Sequence, residues 1–357
     1  MLSRNLACLA KNKRPGVRGR PTGLVRTAPC TPSRCQSLPW LQQPNSARRV
    51  ARALCGSLAK HEERSFEDGE HKARPLEVVR NTDGYVVQSL HGGPDESSND
   101  KLCRLLFFVG ALKDAGAARV TVIAPYLCYA RKDRRTKPND PMTTRYIAQL
   151  FEAVGTDAVA TLEVHNPAAY ENAFRCRSIT LAAAPLFVDY AKLNLGAEDL
   201  CVASPDPGGV KRAELFREAL EAAISRPVGK GFADKHRSAG AVTGDLFVGN
   251  VARATALIID DLISTGNTLL RAGRAAREAS AKRVIALVTH SLFMPAAGEV
   301  IADPAIERFV VTDTVPPFRL DRGAAPEKIE TVSAAPLLAE TVRRLHAGET
   351  LADLLVL

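Results

Sequence analysis

Short apolar runs alternate along the chain with longer amphipathic segments. Residues 84–89, 119–124 and 256–259 are rich in β-branched side chains and are short enough to be buried parallel strands. The segments that begin at Asn99 and at Thr268 have the apolar spacing of helices. Strands that alternate with helices predict parallel sheets with helices on both faces, so the chain is expected to be an α/β protein.

One unit of this pattern occurs twice. Residues 112–124 and 276–288 each contain the end of a helix, small residues, and an Arg-Val pair that opens a strand. We therefore predict two tandem domains of one type, each a mainly parallel sheet flanked by helices. The boundary is expected near residues 185–199, which divides the folded chain into residues 45–190 and residues 191–357.

The basic residues are concentrated at the amino terminus. The chain has a formal net charge of +9, but residues 1–61 contain twelve of the 48 Lys and Arg and none of the 39 Asp and Glu. The remainder, with 36 basic against 39 acidic residues, therefore has a net charge of −3. A basic nucleic-acid-binding surface on the folded part is not expected.

Residues 1–44 are rich in Arg, Pro and Gln and show no clear hydrophobic period. Three alternatives are open: a disordered leader that contributes nothing to the fold, an organellar targeting segment, or a start codon further along the chain. The dispensable leader is the favoured interpretation.

The cysteines and the apolar runs indicate a cytoplasmic location. The eight cysteines are scattered without a Cys-x-x-Cys pair or a His cluster, so a zinc site is not expected. Scattered free thiols fit a reducing compartment. Because apolar runs of membrane-spanning length are missing from the sequence, we expect no association with a membrane.

A loop at the end of the strand 256–259 is the main candidate site. Asp260 and Asp261 follow the apolar run, and Ser264-Thr265-Gly266-Asn267-Thr268 leads into a helix. Backbone amides at a helix start suit a phosphate, and two carboxylates accept hydrogen bonds from sugar hydroxyls. The loop therefore predicts a site for a phosphorylated pentose. The alternative is an ordinary strand–turn–helix junction with a Ser or Thr cap.

Other polar stretches also follow predicted strands. The basic stretch 125–135 suits a polyphosphate but is equally compatible with a solvated charge run. A single histidine, His165, is more often structural than a ligand. The segment 200–212 ends a strand in Asp206 and two glycines, and the cationic segment 229–240 is either a mobile loop over a reaction centre or a solubilising hairpin.

In their order along the chain, these motifs resemble those of the phosphoribosyl pyrophosphate synthetase (ribose-phosphate pyrophosphokinase) family. The resemblance runs from about Ser46 to Leu355. It is carried by the Phe-Glu-Asp-Gly-Glu run at 66–70, the basic stretch 125–134, Val164-His165, the segments 204–212, 234–237 and 260–268, and the carboxyl-terminal stretches 311–316 and 338–350.

The resemblance implies a fold, a reaction and a set of site residues. The fold is two tandem phosphoribosyltransferase-like domains, the first on the ATP side and the second on the ribose 5-phosphate side. The reaction is transfer of the pyrophosphoryl group of Mg-ATP to the C1 hydroxyl of ribose 5-phosphate, giving phosphoribosyl pyrophosphate and AMP. The implied ATP-binding residues are Phe66, Asp68, Glu70, Arg131, Lys132 and Asp133. The implied ribose 5-phosphate residues are Asp260, Asp261, Ser264, Thr265, Gly266, Asn267 and Thr268.

The remaining implied roles concern catalysis, metal binding and assembly. Lys235 and Arg237 match the family's catalytic flexible loop, and His165 and Asp206 match its Mg²⁺ ligands. The family also implies a homo-oligomer built from dimers, up to hexamers, with nucleotide sites near subunit boundaries. A noncatalytic regulatory homologue and a phosphoribosyltransferase are the alternatives. The first predicts loss of these four residues, which are present, and the second has no need of Phe66 or of the first domain.

The chain departs from the commonest family pattern near the site. Ser264 and Asn267 stand where the family's loop usually has Asp and Gly, and Glu163 replaces the usual Asp before the metal histidine. The segment 90–98 is longer than the common form, so ordinary phosphate activation and ADP inhibition are not expected.

Overall fold

The computed structural model describes residues 7–11, 46–238, 241–320 and 325–356. For residues 7–11, 234–238 and 241–245 it describes the backbone alone. Among the helices in these ranges, none is long and apolar enough to cross a membrane.

The first half of the chain forms a five-stranded sheet and a separate hairpin. Its elements in chain order are β1 (Ala7–Lys11), α1 (Ser46–Ala53), β2 (His61–Ser65), β3 (His71–Pro75), β4 (Asp83–Val87), α2 (Ser98–Asp114), β5 (Arg119–Ile123), α3 (Thr143–Ala153), β6 (Ala158–Leu162), α4 (Pro167–Ala173), β7 (Arg177–Leu181) and α5 (Ala184–Leu195). The sheet has the order β1-β4-β5-β6-β7, in which β4 to β7 are parallel and β1 is antiparallel. The strands β2 and β3 form the antiparallel hairpin.

The second half forms a seven-stranded sheet. Its elements are β8 (Leu200–Ser204), α6 (Val210–Ile224), β9 (Gly229–Ser238), β10 (Ala241–Gly249), β11 (Thr255–Ile263), α7 (Asn267–Glu278), β12 (Arg283–Ser291), α8 (Ala297–Ala302), β13 (Arg308–Thr312), β14 (Ile329–Val332) and α9 (Ala335–Ala347). The order is β10-β9-β8-β11-β12-β13-β14, with every pair parallel except β10 and β9. The predicted α/β class and the two mainly parallel sheets are confirmed.

Local sequence accounts for the repeated unit. The helix α2 begins with a capping box, in which the Ser97 side chain accepts from the Asp100 amide and the Asp100 carboxylate accepts from the Ser97 amide. The following strands, β5 and β12, both begin at an Arg-Val pair, as the repeat predicts. The Arg-Val pair therefore begins the strand of this unit in both halves, while the helix starts differ, since α7 has no side-chain cap within the described part of the chain.

The amino-terminal segment differs from the expectation of a leader without a structural role. Residues 7–11 pair antiparallel with β4 over the register from Ala7–Val87 to Lys11–Asp83. The physical reason is that β4 would otherwise be an edge strand with unpaired backbone N–H and C=O groups. The rest of the predicted leader lies outside the described residues.

Of the two alternatives for the cationic segment 229–240, a mobile loop or a hairpin, the described residues form a hairpin. Its residues continue β9 as far as Ser238, and β10 pairs with them from Ala241 onward. A long antiparallel hairpin therefore extends from the edge of the second sheet.

The carboxyl terminus returns to the first sheet, so the two halves share one core. The Ala182 amide donates to the Leu354 carbonyl at 2.8 Å, and the Val356 amide donates to the Thr180 carbonyl at 3.0 Å. The buried cluster that contains α9 side chains includes residues from β4 to β7 and from β8, β11, β12 and β13. The division at residue 190 thus falls inside α5, and the end of the chain packs on the half that precedes it.

We predict that Leu338→Ala lowers the free energy of unfolding by about 2–5 kcal/mol, because it removes a buried side chain from the shared core. Leu338 lies on α9 and is 2% exposed. Denaturant unfolding followed by circular dichroism measures the change.

Leu193→Ala is the matched control, since Leu193 lies on α5 and is 85% exposed. It should change the free energy of unfolding by no more than about 0.5 kcal/mol. Equal effects of the two variants would contradict a shared core at α9.

Candidate active site between the two sheets

The carboxyl ends of β6 and β11 meet where the two halves of the chain face each other. His165 follows β6 after a short turn, and Asp261 lies near the end of β11. The Nδ1 atom of His165 is 2.8 Å from Oδ2 of Asp261. Ligands of open parallel sheets bind beyond the carboxyl ends of the strands, so this contact marks the candidate site.

The His165–Asp261 contact shifts the pKa of both groups. The hydrogen bond to Asp261 raises the pKa of the His165 imidazole above its ordinary value. Burial alone would raise the pKa of Asp261, but the hydrogen bond from His165 and the charge of Arg212 bring it below its usual range. In contrast, burial and the neighbouring Asp261 charge raise the pKa of Asp260. The two adjacent aspartates therefore have different proton affinities.

A guanidinium lies among three carboxylates at this point. Arg212, on α6, is 3.4 Å from Glu163, 3.2 Å from Asp260 and 3.4 Å from Asp261. Burial lowers the pKa of Arg212, yet attraction to these carboxylates and to Asp206 raises it overall. Burial also raises the pKa of Glu163, whose other oxygen accepts from the Ala183 amide at 3.2 Å. Arg212 therefore compensates the negative charge of the site.

Asp206 organises the turn after β8. Its Oδ1 atom accepts from the amides of Gly208 at 2.9 Å and Gly209 at 3.2 Å, which caps a short 3₁₀ turn ahead of α6. A Cβ atom at Gly209 would lie 2.6 Å from Oγ of Ser204. The turn therefore needs glycine, and it places Arg212 on the first turn of α6.

The predicted phosphate loop lies between β11 and α7. Gly266 has φ +84°, and a Cβ atom there would lie 2.8 Å from Cγ1 of Val300, so the position requires glycine for two reasons. Asn267, which stands where the family usually has glycine, is the first residue of α7. It therefore lies in helical backbone. Thr265 and Asn267 are exposed at the helix start. Backbone amides at the start of a helix are groups that can bind an anion.

The basic segment after β5 reaches the same site from the first half. Arg131 lines a small cleft together with His165 and Asp261. Asp133 accepts a 2.7 Å hydrogen bond from Nδ2 of Asn166, the residue that caps α4. The structure thus brings Arg131 and Asp133 beside the His165 loop.

Lys132 in the same segment is tied to an aspartate that the sequence interpretation overlooked. Its Nζ is 3.1 Å from Oδ2 of Asp140, which also accepts from the Thr136 amide, the Thr136 hydroxyl and the Lys137 amide. Asp140 therefore closes the segment 132–140 into a compact loop. The available signal was an acidic residue a few positions after a basic run. The run alone does not show which of its basic side chains pairs with the carboxylate.

The predicted adenine residues lie on the turn of the β2–β3 hairpin. Phe66 is 39% exposed, and the Arg64 guanidinium carbon lies 5.0 Å from the centre of its ring. The Asp68 carboxylate accepts from the Glu70 amide at 3.0 Å. Among the described residues, the lining of the cleft at His165 does not include Phe66, Asp68 or Glu70.

The predicted catalytic residues lie on the backbone of β9. In the hairpin register Lys235 pairs with Asp245 and Arg237 pairs with Val242. Their side chains lie outside the described residues.

Sequence interpretation missed the roles of Glu163, Arg212 and His290. His290 is buried at the end of β12 and hydrogen-bonds across to the end of β6. Glu163 and His290 are polar residues at or just beyond strand ends, which is the signal that pointed to Asp260, whereas Arg212 lies on the first turn of α6. Their partners are distant in sequence, so the contacts themselves cannot be read from the chain.

The donor atoms present suit a magnesium ion that shares its coordination with substrate and water. Within the described residues, no group of three or more His, Cys, Asp and Glu side chains is arranged to hold a metal. Mg²⁺ needs one or two protein ligands when substrate phosphates and water supply the rest. Oδ2 of Asp206 and Nε2 of His165 face no hydrogen-bond partner among the described residues, so both fit this sparse ligation.

Two mainly parallel sheets flanked by helices, with an Asp-Asp loop at the carboxyl end of a central strand, define a phosphoribosyltransferase-like α/β protein of two domains. Two family models match the chain. The N-terminal domain of ribose phosphate pyrophosphokinase matches residues 40–155, and the phosphoribosyl synthetase-associated domain matches residues 241–356.

Characterised relatives agree with these matches. The chain is 34% identical over 314 residues to the ribose-phosphate pyrophosphokinase of Clostridium perfringens (strain 13 / Type A), which covers 87% of this chain and 94% of that protein. It is 34% identical over 312 residues to ribose-phosphate pyrophosphokinase 1 of Streptococcus pyogenes serotype M1, covering 86% and 93%. The crystal structure of phosphoribosylpyrophosphate synthetase from Mycobacterium smegmatis superimposes with a TM-score of 0.74 at 31% identity, covering 85% of this chain and 95% of that one.

The chain belongs to the ribose-phosphate pyrophosphokinase family. It is an enzyme of that class, and it synthesises phosphoribosyl pyrophosphate.

We predict that Asp261→Asn lowers the pKa of the His165 imidazole, because it removes the charge that favours the protonated ring. In the original protein without magnesium, that pKa should lie above the usual value of about 6.5. The His165–Asp261 pair then makes its full contribution to the stability of the folded state when the pH is below this usual pKa. The contribution decreases as the pH rises through the raised pKa. Titration of the histidine resonances by nuclear magnetic resonance measures both pKa values.

His91 provides the internal control in the same spectra. Burial lowers its pKa to about 4, and its charged neighbours are Lys101 and Arg319. Its titration should be the same in both proteins. A His165 pKa that does not change in the variant would contradict the assigned contact.

Proposed function

We propose that the cleft between His165 and Asp261 is where the diphosphoryl group of Mg-ATP passes to the C1 hydroxyl of ribose 5-phosphate. The oxygen of that hydroxyl bonds to the β-phosphorus, the bond from this phosphorus to the α–β bridging oxygen breaks, and AMP leaves. The hydroxyl proton is lost. The observation that carries the proposal is the 2.8 Å contact between His165 and Asp261, because it joins the predicted nucleotide half to the predicted ribose half.

The second half supplies the proposed ribose 5-phosphate site. Asp260 and Asp261 accept hydrogen bonds from the sugar hydroxyls, while the loop 264–268 binds the 5-phosphate through its backbone amides and the Ser and Thr hydroxyls. The helix start of α7 supports this role, since its first amides have no partner within the helix and its dipole favours a negative charge.

The first half supplies the proposed ATP site. Arg131 and Lys132 contact the phosphates, with Asp133 as an orienting group, and Phe66 stacks on the adenine near Asp68 and Glu70. Phe66 is exposed and does not line the His165 cleft. An exposed aromatic side chain outside the cleft supports the proposal of a homo-oligomer with nucleotide sites near subunit boundaries.

Lys235 and Arg237 are the proposed catalytic residues. Transfer of a phosphoryl group depends on positioning and on charge neutralisation more than on covalent help. Two cations that lie two residues apart on β9 are suited to neutralise charge on the group in transit.

Mg²⁺ is the proposed cofactor, held by Asp206 and His165. When bound, the ion neutralises phosphate charge and orients the polyphosphate. Around it, Asp261 orients the His165 ring, and Arg212 keeps Asp260 and Asp261 in place between the two substrate sites.

A cytoplasmic location remains part of the proposal. Five cysteines are free thiols, and this fits a reducing compartment: Cys55 and Cys103, which are exposed, and Cys128, Cys176 and Cys201. An organellar location directed by the basic amino terminus is the alternative.

The direct test is AMP formation by the purified protein with Mg-ATP and ribose 5-phosphate. We expect AMP and phosphoribosyl pyrophosphate in equal amounts, with no AMP when ribose 5-phosphate is omitted. A protein that binds both substrates without forming AMP would instead be the noncatalytic homologue.

We predict that Lys235→Ala lowers kcat by about a hundredfold or more, which corresponds to roughly 3 kcal/mol of transition-state stabilisation. The affinity for ribose 5-phosphate should change little, since the proposed sugar site lies on other elements. Steady-state kinetics and calorimetric binding of ribose 5-phosphate measure the two quantities.

Lys230→Ala is the matched control on the same strand. The Lys230 side chain is 73% exposed and its Nζ lies 3.8 Å from Glu214. The variant should keep kcat near that of the original protein. An unchanged kcat in Lys235→Ala would remove Lys235 from the catalytic group.

A further inference from the structure

The two sides of the cleft belong to different sheets, so their relative position depends on contacts between the halves. His165 follows β6 of the first sheet, and Asp261 lies on β11 of the second. Their hydrogen bond involves a histidine side chain that is 47% exposed. An exposed polar contact is weakened by competition with water, so a buried contact nearby would hold the two strand ends more firmly.

His290 makes such a contact. It lies on β12, opposite Leu262 of β11, and is 3% exposed. Its Nε2 is 2.8 Å from the carbonyl oxygen of Leu162 and 3.1 Å from that of Glu163, at the end of β6. Its Nδ1 is 2.8 Å from Oγ1 of Thr314, in the second half. One imidazole therefore joins the ends of strands from both sheets.

The hydrogen-bond partners determine where the proton lies. Carbonyl oxygens only accept, so Nε2 of His290 carries the hydrogen and shares it between Leu162 and Glu163. Burial lowers the pKa of His290, which favours the neutral ring. Nδ1 then accepts from the Thr314 hydroxyl, which also lies 3.1 Å from the Thr289 carbonyl, and that carbonyl accepts from the Thr312 hydroxyl at 2.5 Å. Each polar atom of the contact is thus satisfied by a neutral histidine.

The backbone that His290 contacts is unusual and directs the loop toward the site. Glu163 has φ +43°, a left-handed conformation that a non-glycine residue adopts when its surroundings impose it. Its amide donates to the Leu181 carbonyl at 2.9 Å, its carboxylate faces Arg212, and its carbonyl accepts from His290. This turn leads in two residues to His165.

We propose that His290 is a positioning residue for phosphoribosyl pyrophosphate synthesis. Its imidazole ties the turn that carries His165 to the sheet that carries Asp260 and Asp261, and so keeps the two sides of the cleft at the separation the reaction needs. The inference rests on the proposed roles of His165 and the two aspartates.

Three substitutions distinguish the hydrogen bonds at Nε2 of His290 from the hydrogen bond at Nδ1. His290→Gln places an amide NH₂ where Nε2 was and can still donate to Leu162 and Glu163. His290→Asn places its amide near Nδ1, and His290→Phe removes both hydrogen-bonding atoms. We expect His290→Gln to retain kcat within a few-fold, and the other two to lose roughly tenfold to a hundredfold, as displacement of reacting groups does.

Ser291→Ala is the matched control for a purely structural loss. Ser291 is the next residue on β12, is fully buried, and donates from Oγ to the Val315 carbonyl at 2.6 Å within the second half. It should reduce the thermal midpoint without reducing kcat. Hydrogen exchange of the peptide 159–168 gives a readout independent of activity, and protection should fall in His290→Asn and not in Ser291→Ala.

The outcomes distinguish this inference from the proposed function. If the original protein forms no AMP from Mg-ATP and ribose 5-phosphate, the proposed function fails, whereas the exchange measurement still tests the contact. If the original protein is active and His290→Asn and His290→Phe match it in kcat, the positioning role is wrong. A loss of kcat in His290→Gln equal to that in His290→Phe would also overturn it, as would equal exchange in His290→Asn and Ser291→Ala.

Discussion

The structure depends on keeping three carboxylates together in a partly buried place. Glu163, Asp260 and Asp261 would repel one another there, and burial would penalise each charge. The Arg212 guanidinium contacts all three, and the His165 imidazole is a second hydrogen-bond partner for Asp261. These groups come from both halves of the chain. The ion pairs that compensate the partly buried carboxylates therefore also link the two halves.

Packing makes this arrangement persistent. The cluster around α9 contains side chains from both sheets, and the segment after α9 pairs with the end of β7. The hairpin that carries Phe66 and the hairpin that carries Lys235 lie outside this shared core. The parts proposed to bind the adenine and to neutralise the transferred group are therefore placed on hairpins, whereas Asp260 and Asp261 lie on β11 and His165 follows β6.

Prediction from sequence succeeded where the cause is local. The glycine at Gly266 and the Arg-Val starts of β5 and β12 follow from residue type and spacing, and the structure places each as expected, whereas β11 continues past the predicted end at Asp260 to Ile263. It failed where the cause is a distant partner. The strand Ala7–Lys11 forms because β4 presents an open edge, and nothing within the leader itself indicates that edge.

By itself, the sequence determined the α/β class, the repeat of two domains, the order of the motifs and the family, because periodicity, turn residues and motif spacing are properties of neighbouring positions. Only the tertiary structure decided that His165 contacts Asp261, that Arg212 serves three carboxylates and that His290 joins two sheets. The residues of the His165–Asp261 pair are 96 positions apart. Such contacts depend on how the sheets face each other, and that arrangement is set by the shared core of α9 rather than by any local pattern.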